Sequence, residues 1–230
     1  MIIVNDFFGK KGKSLGNNII QLSNIIHIAL YKQHNVLFKV KHDLFDLKII
    51  KDYINKYNNE KKITDRCNFF YRKDFSKEIF KENIKETKKL LKEAFIIKDI
   101  NKLDEDVLLI HIRSGDLFVG IPHPGYVPPP LSYYIKQINK YNYKKIIIVS
   151  EDKRNPVVNK LLELYENAIY NKNNLIGDIK LILSAQNILY SIGSFIPSLM
   201  LISNNLKELH TPFHENNIKD YYSIMKPWKN

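Results

Sequence analysis

Aliphatic residues gather in short runs, and between the runs they recur every three or four positions. The strongest runs, Val107-Leu-Leu-Ile-His-Ile112 and Lys145-Ile-Ile-Ile-Val-Ser150, predict buried strands. Ile2-Ile-Val4 and Val36-Leu-Phe-Lys-Val40 predict two more. Between these last two lies a Gly- and Lys-rich loop through Gly16. It is followed by a helix from Asn17 to Tyr31, opened by Asn17 or Asn18 as cap, with Ile19, Leu22, Ile26, Ala29 and Leu30 at helical spacing. Strand, loop, helix and strand in that order begin a parallel α/β layer. Amphipathic helical patterns follow at Leu47–Tyr57 and Glu78–Phe95; the second sets Ile79, Ile84, Leu90, Leu91 and Ala94 among charges, as in a solvated helix covering a sheet. Asn101–Asp106 reads as a linker. Half of Ile121–Pro130 is proline, which predicts a stiff loop. Helices are expected over Leu131–Asn139 and from Asn155-Pro156 to about Glu166, the proline in the favoured first turn.

The chemistry collects where the Val107 run ends. Strand alternation puts His111 and Arg113 on one face, and Gly115 allows a sharp turn that leaves Asp116 at the carboxyl end of the strand. Open α/β sheets bind ligands at that end. Arginine is scarce in this lysine-rich chain, the others being Arg66, Arg72 and Arg154. A guanidinium at a strand mouth suits bidentate binding of phosphate or carboxylate. On residue types alone, an ordinary surface Arg–Asp pair fits equally well.

Composition narrows the partners. A chain of 230 residues holds one sizeable domain or two small ones. No uncharged apolar run reaches the ~18 residues of a membrane span, and the N-terminus does not look like a secretory signal. The only cysteine, Cys67, excludes an internal disulfide and fits a reducing compartment, so the expected location is the cytoplasm. A net charge of +12 raises nucleic acid as a partner. The excess is lysine, however, in a chain also rich in Asn, Ile and Tyr, residues that share A/T-rich codons. No helix-turn-helix, zinc spacing or aromatic–basic stacking motif accompanies the charge, so no specific nucleic acid is expected. Non-catalytic binding of a nucleotide, nucleic acid or glycan stays open as an alternative.

His111-x-Arg113-x-Gly115-Asp116 after an aliphatic run resembles the donor-binding motif of GDP-fucose-dependent fucosyltransferases, particularly the α-1,2 and α-1,6 types, and of protein O-fucosyltransferases. Leu15-Gly-Asn-Asn-Ile-Ile-Gln21 resembles the opening motif of the α-1,2 enzymes, with Ser14 in place of a glycine and Asn18 in place of a glutamine; a well-capped helix start reads the same way. Ser150-Glu-Asp152 resembles the second donor motif. The block from Asp178, opening a helix, to Ser194-Phe195 resembles the third. Ile192 and Gly193 stand where many members carry Asn and Ser, which leaves Ser194 as the surest carry-over; Asp178 also fits a helix N-cap.

The resemblance implies a GT-B-like α/β fold, two small Rossmann-like domains facing across a cleft. Residues 1–104 would form the acceptor side and 105–230 the donor domain. It implies transfer of fucose, or of another GDP-linked sugar, to a glycan hydroxyl with inversion. Arg113 would neutralise the leaving diphosphate, with Asp116 as general base or as its orienting partner. His111, Gly115, Ser150, Asp152, Asp178, Ser194 and Phe195 would line the donor, Asp152 at guanine or ribose. Asn17, Asn18, Gln21, His123 and Tyr126 would lie on the acceptor side. No Asp-x-Asp pair lies in these segments to hold a divalent ion, so neither metal nor cofactor is expected beyond the GDP-fucose substrate. The tail, with Tyr221, Tyr222 and Trp228, carries no motif.

Overall fold

The structure, a computed structural model, describes residues 1–7, 14–57, 63–65, 77–119 and 127–212. The chain divides into two compact units, Met1–Lys98 and Asp99–Asn230.

In the first unit β1 (Ile2–Val4) is the middle of a three-stranded parallel sheet, between β2 (Val36–Phe38) and β3 (Ile63–Asp65). The crossover from β1 to β2 is α1 (Leu15–Tyr31). This helix begins two residues before the expected start. Neither Asn17 nor Asn18 caps it; Ser14 does, in left-handed backbone at φ 66° with no side-chain cap bond. Its apolar positions at helical spacing, Ile19, Leu22, Ile26 and Ala29, are fully buried. Strand β2 stops at Phe38, short of the expected Val40. Helix α2 (Leu47–Ile54) is capped by Asp46, whose carboxylate accepts from the Lys48 N–H at 2.9 Å. Asn55 ends it earlier than the pattern suggested, by turning its side chain onto both backbone groups of Val36 (2.7 and 3.1 Å). Helix α3 (Lys77–Ala94) packs on α1 and α2.

The second unit is built on five parallel strands: β4 (Val107–His111), β5 (Lys145–Val149), β6 (Ala168–Tyr170), β7 (Asn187–Tyr190) and β8 (Glu208–His210), in the order β6-β5-β4-β7-β8. Every crossover carries a helix: α4 (Leu131–Ile138), α5 (Pro156–Leu164), α6 (Leu175–Ser184) and the short α7 (Phe195–Met200). Parallel strands covered on both faces must be apolar on both, and β4 is buried at every position. Its even residues Leu108 and Ile110, with Ile112 just past its end, join Ile146 and Ile148 of β5 against Tyr134 and Ile138 of α4 and Val157, Val158 and Leu161 of α5. The odd residues, including His111, face the other way.

The short strands β6 and β8 carry too few apolar residues to announce themselves. The stretch before β4 is bonded into this unit: Leu103 N–H donates to Ser184 O, while Gln186 and Asn187 donate to the carbonyls of Leu103 and Glu105. The unit is a mixed α/β, Rossmann-like layer. No helix among the described residues is long and apolar enough to cross a membrane.

Candidate active site

Strands β4, β5 and β6 run outward in one direction from the centre, and β7 and β8 in the other. The crevice between the carboxyl ends of β4 and β7 is therefore the topological switch point, where such sheets bind ligands. Arg113 leaves β4 there. Its backbone is gripped from both sides: its N–H donates to the Ser191 hydroxyl at 2.9 Å, and its carbonyl accepts from Asn155 Nδ2 at 3.0 Å. Ser191 and Asn155 are both fully buried. The side chain crosses to the β7–α7 turn and lies on Gly193. A Cβ there would stand 2.8 Å from Arg113 Nη1, and Gly193 has φ +99°, a conformation L side chains avoid. Glycine at this position thus makes room for the guanidinium.

Asp116 meets the other edge of the guanidinium, its two oxygens taking Nη2 at 2.8 Å and Nε at 3.3 Å. The carboxylate is 66% exposed, so this fork orients the arginine while contributing only about 0–1 kcal/mol to stability. His111 and Arg113 do share a face, since the His111 ring lies 5.7 Å from that of Phe195, just past Gly193. Burial, then the charge of Arg113, lowers the His111 pKa to about 4, so the imidazole is neutral at pH 7. Its Nδ1 is buried with no hydrogen-bond partner among the described residues. Ser194 stands beside Phe195 as the N-cap residue of α7, with no side-chain cap bond.

Asp152 holds the turn after β4 through one oxygen. One oxygen, Oδ1, accepts from the Ser114 hydroxyl (2.5 Å), Arg154 N–H (2.9 Å) and Gly115 N–H (3.5 Å), and Oδ2 faces Arg154 Nε at 3.5 Å. The Ser114 bond first, with the backbone donors and Arg154, holds its carboxyl below the usual range. Ser114 Oγ also accepts from Asn155 N–H at 3.0 Å, while Asn155 Oδ1 caps α5 through Val157 N–H. Asn155 is therefore both helix cap and latch on Arg113, a double role that its Asn-Pro signature does not reveal. Glu151 was equally hidden. Its carboxyl end stands against Gly115, and withdrawal from solvent, then the charge of Asp116, raises its pKa.

A concavity of about 480 Å³ opens at the carboxyl ends of β5 and β6, lined by Ser150, Glu151, Tyr170, Asn171 and Asp178 among others. Asp178 does not open helix α6, because Asn174 caps it by accepting from Gly177 N–H at 3.0 Å. Instead, the Asp178 carboxylate accepts from Asn171 Nδ2 at 2.6 Å, and desolvation raises its pKa to about 6. Ser150 Oγ is buried without a partner among the described residues, while the Ser150 carbonyl accepts from the Tyr170 hydroxyl. Arg113, Asp116, His111, Gly115 and Phe195 thus gather at the switch point, Ser150 and Asp178 in the neighbouring concavity, and Asp152 ties the two together.

The remaining candidates lie elsewhere. In the first unit Asn18 and Gln21 are buried on α1, Gln21 Nε2 donating to Asp6 O at 3.2 Å, and Asn17 is half-buried. His123, Tyr126, Tyr221, Tyr222 and Trp228 fall outside the described residues.

No protein-family signature and no curated protein matches this chain. Seven solved chains match its fold. One is the crystal structure of POFUT1 in complex with GDP, at a TM-score of 0.52 and 8% identity, covering 93% of this chain and 98% of that one. At that identity the likeness is one of fold: a mixed α/β chain whose second unit carries a Rossmann-like parallel sheet.

Proposed function

We propose that the protein is a glycosyltransferase that moves fucose from GDP-fucose to a hydroxyl of a glycan acceptor, by in-line displacement with inversion and without a metal ion. The observation that carries this reading is Arg113 at the switch point, fixed at both backbone groups and seated on a turn with no Cβ. Asp116 occupies the Nε/Nη2 edge, which makes it the orienting partner and turns Nη1 along the Gly193 turn, where a donor diphosphate would lie. Charge grows on that diphosphate as the glycosidic bond breaks, and a preoriented guanidinium stabilises it most in the transition state. His111 and Phe195 flank the nucleotide, Gly115 lets the chain turn beside it, and Ser194 reaches a phosphate oxygen.

The nucleoside then occupies the neighbouring concavity beside Ser150. Asp178 in its lining, with Asp152 through its Oδ2 as the alternative, would accept from the guanine edge, which offers two adjacent donors. The fold likeness to a GDP complex agrees with this use of the sheet. In the same reading the first unit supplies the acceptor side across a cleft, with Asn17, Asn18 and Gln21 supporting it, in a GT-B-like arrangement.

The test is Arg113→Lys, assayed for GDP-fucose turnover on glycan acceptors in the presence of EDTA. Lysine keeps the charge and loses the fork, so turnover is expected to fall ~10²–10³-fold with a smaller loss of GDP affinity. A folded variant with near-normal transfer would overturn the assignment, and loss of wild-type activity in EDTA, restored by manganese, would overturn metal independence.

A further inference from the structure

A second concavity, of about 510 Å³, lies at the opposite end of the same strands, below the start of β5 and β6. Five residues of β5, roughly 17 Å of strand, separate it from Ser150 and the donor end. Its walls are three tyrosines, Tyr141, Tyr143 and Tyr165, and three asparagines, Asn139, Asn142 and Asn167. Tyr141 is 48% exposed, yet its ring is steadied by the Tyr143 ring at 5.7 Å and the His210 ring at 5.9 Å. The Tyr165 hydroxyl donates to Asn139 Oδ1 at 3.0 Å, and Asn167 Nδ2 donates to Tyr143 O at 2.8 Å. Asn139 and Asn142 are exposed, so their amides face solvent at the rim. Side-chain amides, which both donate and accept, therefore stand beside tyrosine rings in one lining.

That chemistry selects a ligand. Among the described residues Lys140 is the only charged side chain in the lining, and Glu208 beside Tyr141 and Tyr143 works against an anion. A phosphate would call for a guanidinium or a nest of backbone N–H groups. Amides that both donate and accept suit hydroxyls, and tyrosine rings offer apolar area with a polar tip. We propose that this concavity is a second, non-catalytic binding site for a neutral saccharide, whose ring lies on Tyr141 while its hydroxyls meet the three asparagines. It stands independently of the transferase reading.

The test is amide-resolved NMR of the full chain titrated with lactose, cellobiose and maltose, with and without saturating GDP. At least one sugar should shift the side-chain amides of Asn139, Asn142 and Asn167, equally in both conditions. Tyr141→Ala, at an exposed position, should weaken that sugar about tenfold and leave GDP-induced shifts unchanged; Asn142→Ala, also exposed, should weaken it as well. No shift with any of the three at tens of millimolar, shifts confined to the Gly115 and Gly193 end, or unchanged affinity in both variants would overturn the site. The GDP arm is separate, since absence of GDP shifts would sink the transferase reading and leave this one standing.

Discussion

Gly193→Ala perturbs the arginine without replacing it. Two costs arise at once. The backbone at φ +99° is a conformation that costs an L residue on the order of 1–3 kcal/mol, which unfolding relieves. The new methyl would also stand 2.8 Å from Arg113 Nη1, where ordinary contact begins at 3.4 Å, so the guanidinium must retreat by about 0.6 Å (3.4 − 2.8). Misplacement of a catalytic group by about 1 Å can cost ~10²-fold in rate, so a loss of about tenfold or more in GDP-fucose turnover is expected. The two costs separate in a double-mutant cycle with Arg113→Ala. Stability measured by urea unfolding should fall in both backgrounds, because the φ penalty does not need the arginine. GDP affinity measured by calorimetry should fall on adding the methyl only where Arg113 is present. Equal GDP affinity for wild type and Gly193→Ala would refute the seating of the guanidinium on this turn as its working position.

Three further outcomes are expected. Asn155→Asp keeps the oxygen that caps α5 but loses the donor to Arg113 O, so GDP binding should weaken while α5 stays capped; unchanged GDP binding would remove Asn155 as a positioning residue. If Asp178 accepts from guanine it must be ionised, so GDP affinity should fall as pH drops through about 6 by more than that of UDP, which carries the same diphosphate. Asp178→Asn should abolish the difference, and identical GDP and UDP profiles would exclude the role. Burial lowers His42 and His111 to about 4 from 6.5, so the unfolded chain takes up these protons first. Their stabilisation is whole above pH 6.5 and is lost as pH falls toward 4, at about 1.4 kcal/mol per pH unit for each. Urea midpoints from pH 7 to 5 should fall less steeply in His42→Gln, and an unchanged slope would contradict the buried neutral state.

What was legible in advance was whatever burial writes into composition. The runs at Val107 and Lys145 are apolar at consecutive positions because both faces of a central parallel strand are covered, and each became a neighbouring strand. Alternation placed His111 and Arg113 on one face, and the β7–α7 turn meets both. Strands β6 and β8 were not legible: three-residue edge strands bury too little to need an apolar run. Caps were ambiguous for a related reason. Asn17, Asn18 and Asp178 are all cap-forming residue types, but the positions are taken by Ser14 and Asn174, and only backbone geometry decides among neighbours. The grip of Ser191 and Asn155 on Arg113 had no local signal, because it spans 78 and 42 residues; Asn155 announced only its helix cap.

The two carboxylates Asp152 and Asp178 show how environment divides labour between identical groups. Both follow strands that end at the ligand side of the sheet, and residue type alone gives either one the base. Asp152 is surrounded by donors supplied by its own fold, which favour its charged form and lower its pKa. On Oδ1 a ligand's donor would compete with the Ser114 hydroxyl and the Gly115 and Arg154 N–H groups, while Oδ2 meets Arg154 Nε at 3.5 Å. Asp178 is withdrawn from solvent with a single described partner, Asn171, and its pKa moves the other way. A desolvated carboxylate short of donors gains most from a ligand that brings two. The same desolvation opposes folding above pH 6, where the charge must be kept, and a nucleotide base that pairs with it would offset that cost on binding. Groups pushed apart in pKa by their surroundings mark a division of roles; here Asp152 holds the Arg113 turn, and Asp178 stands in the concavity beside it.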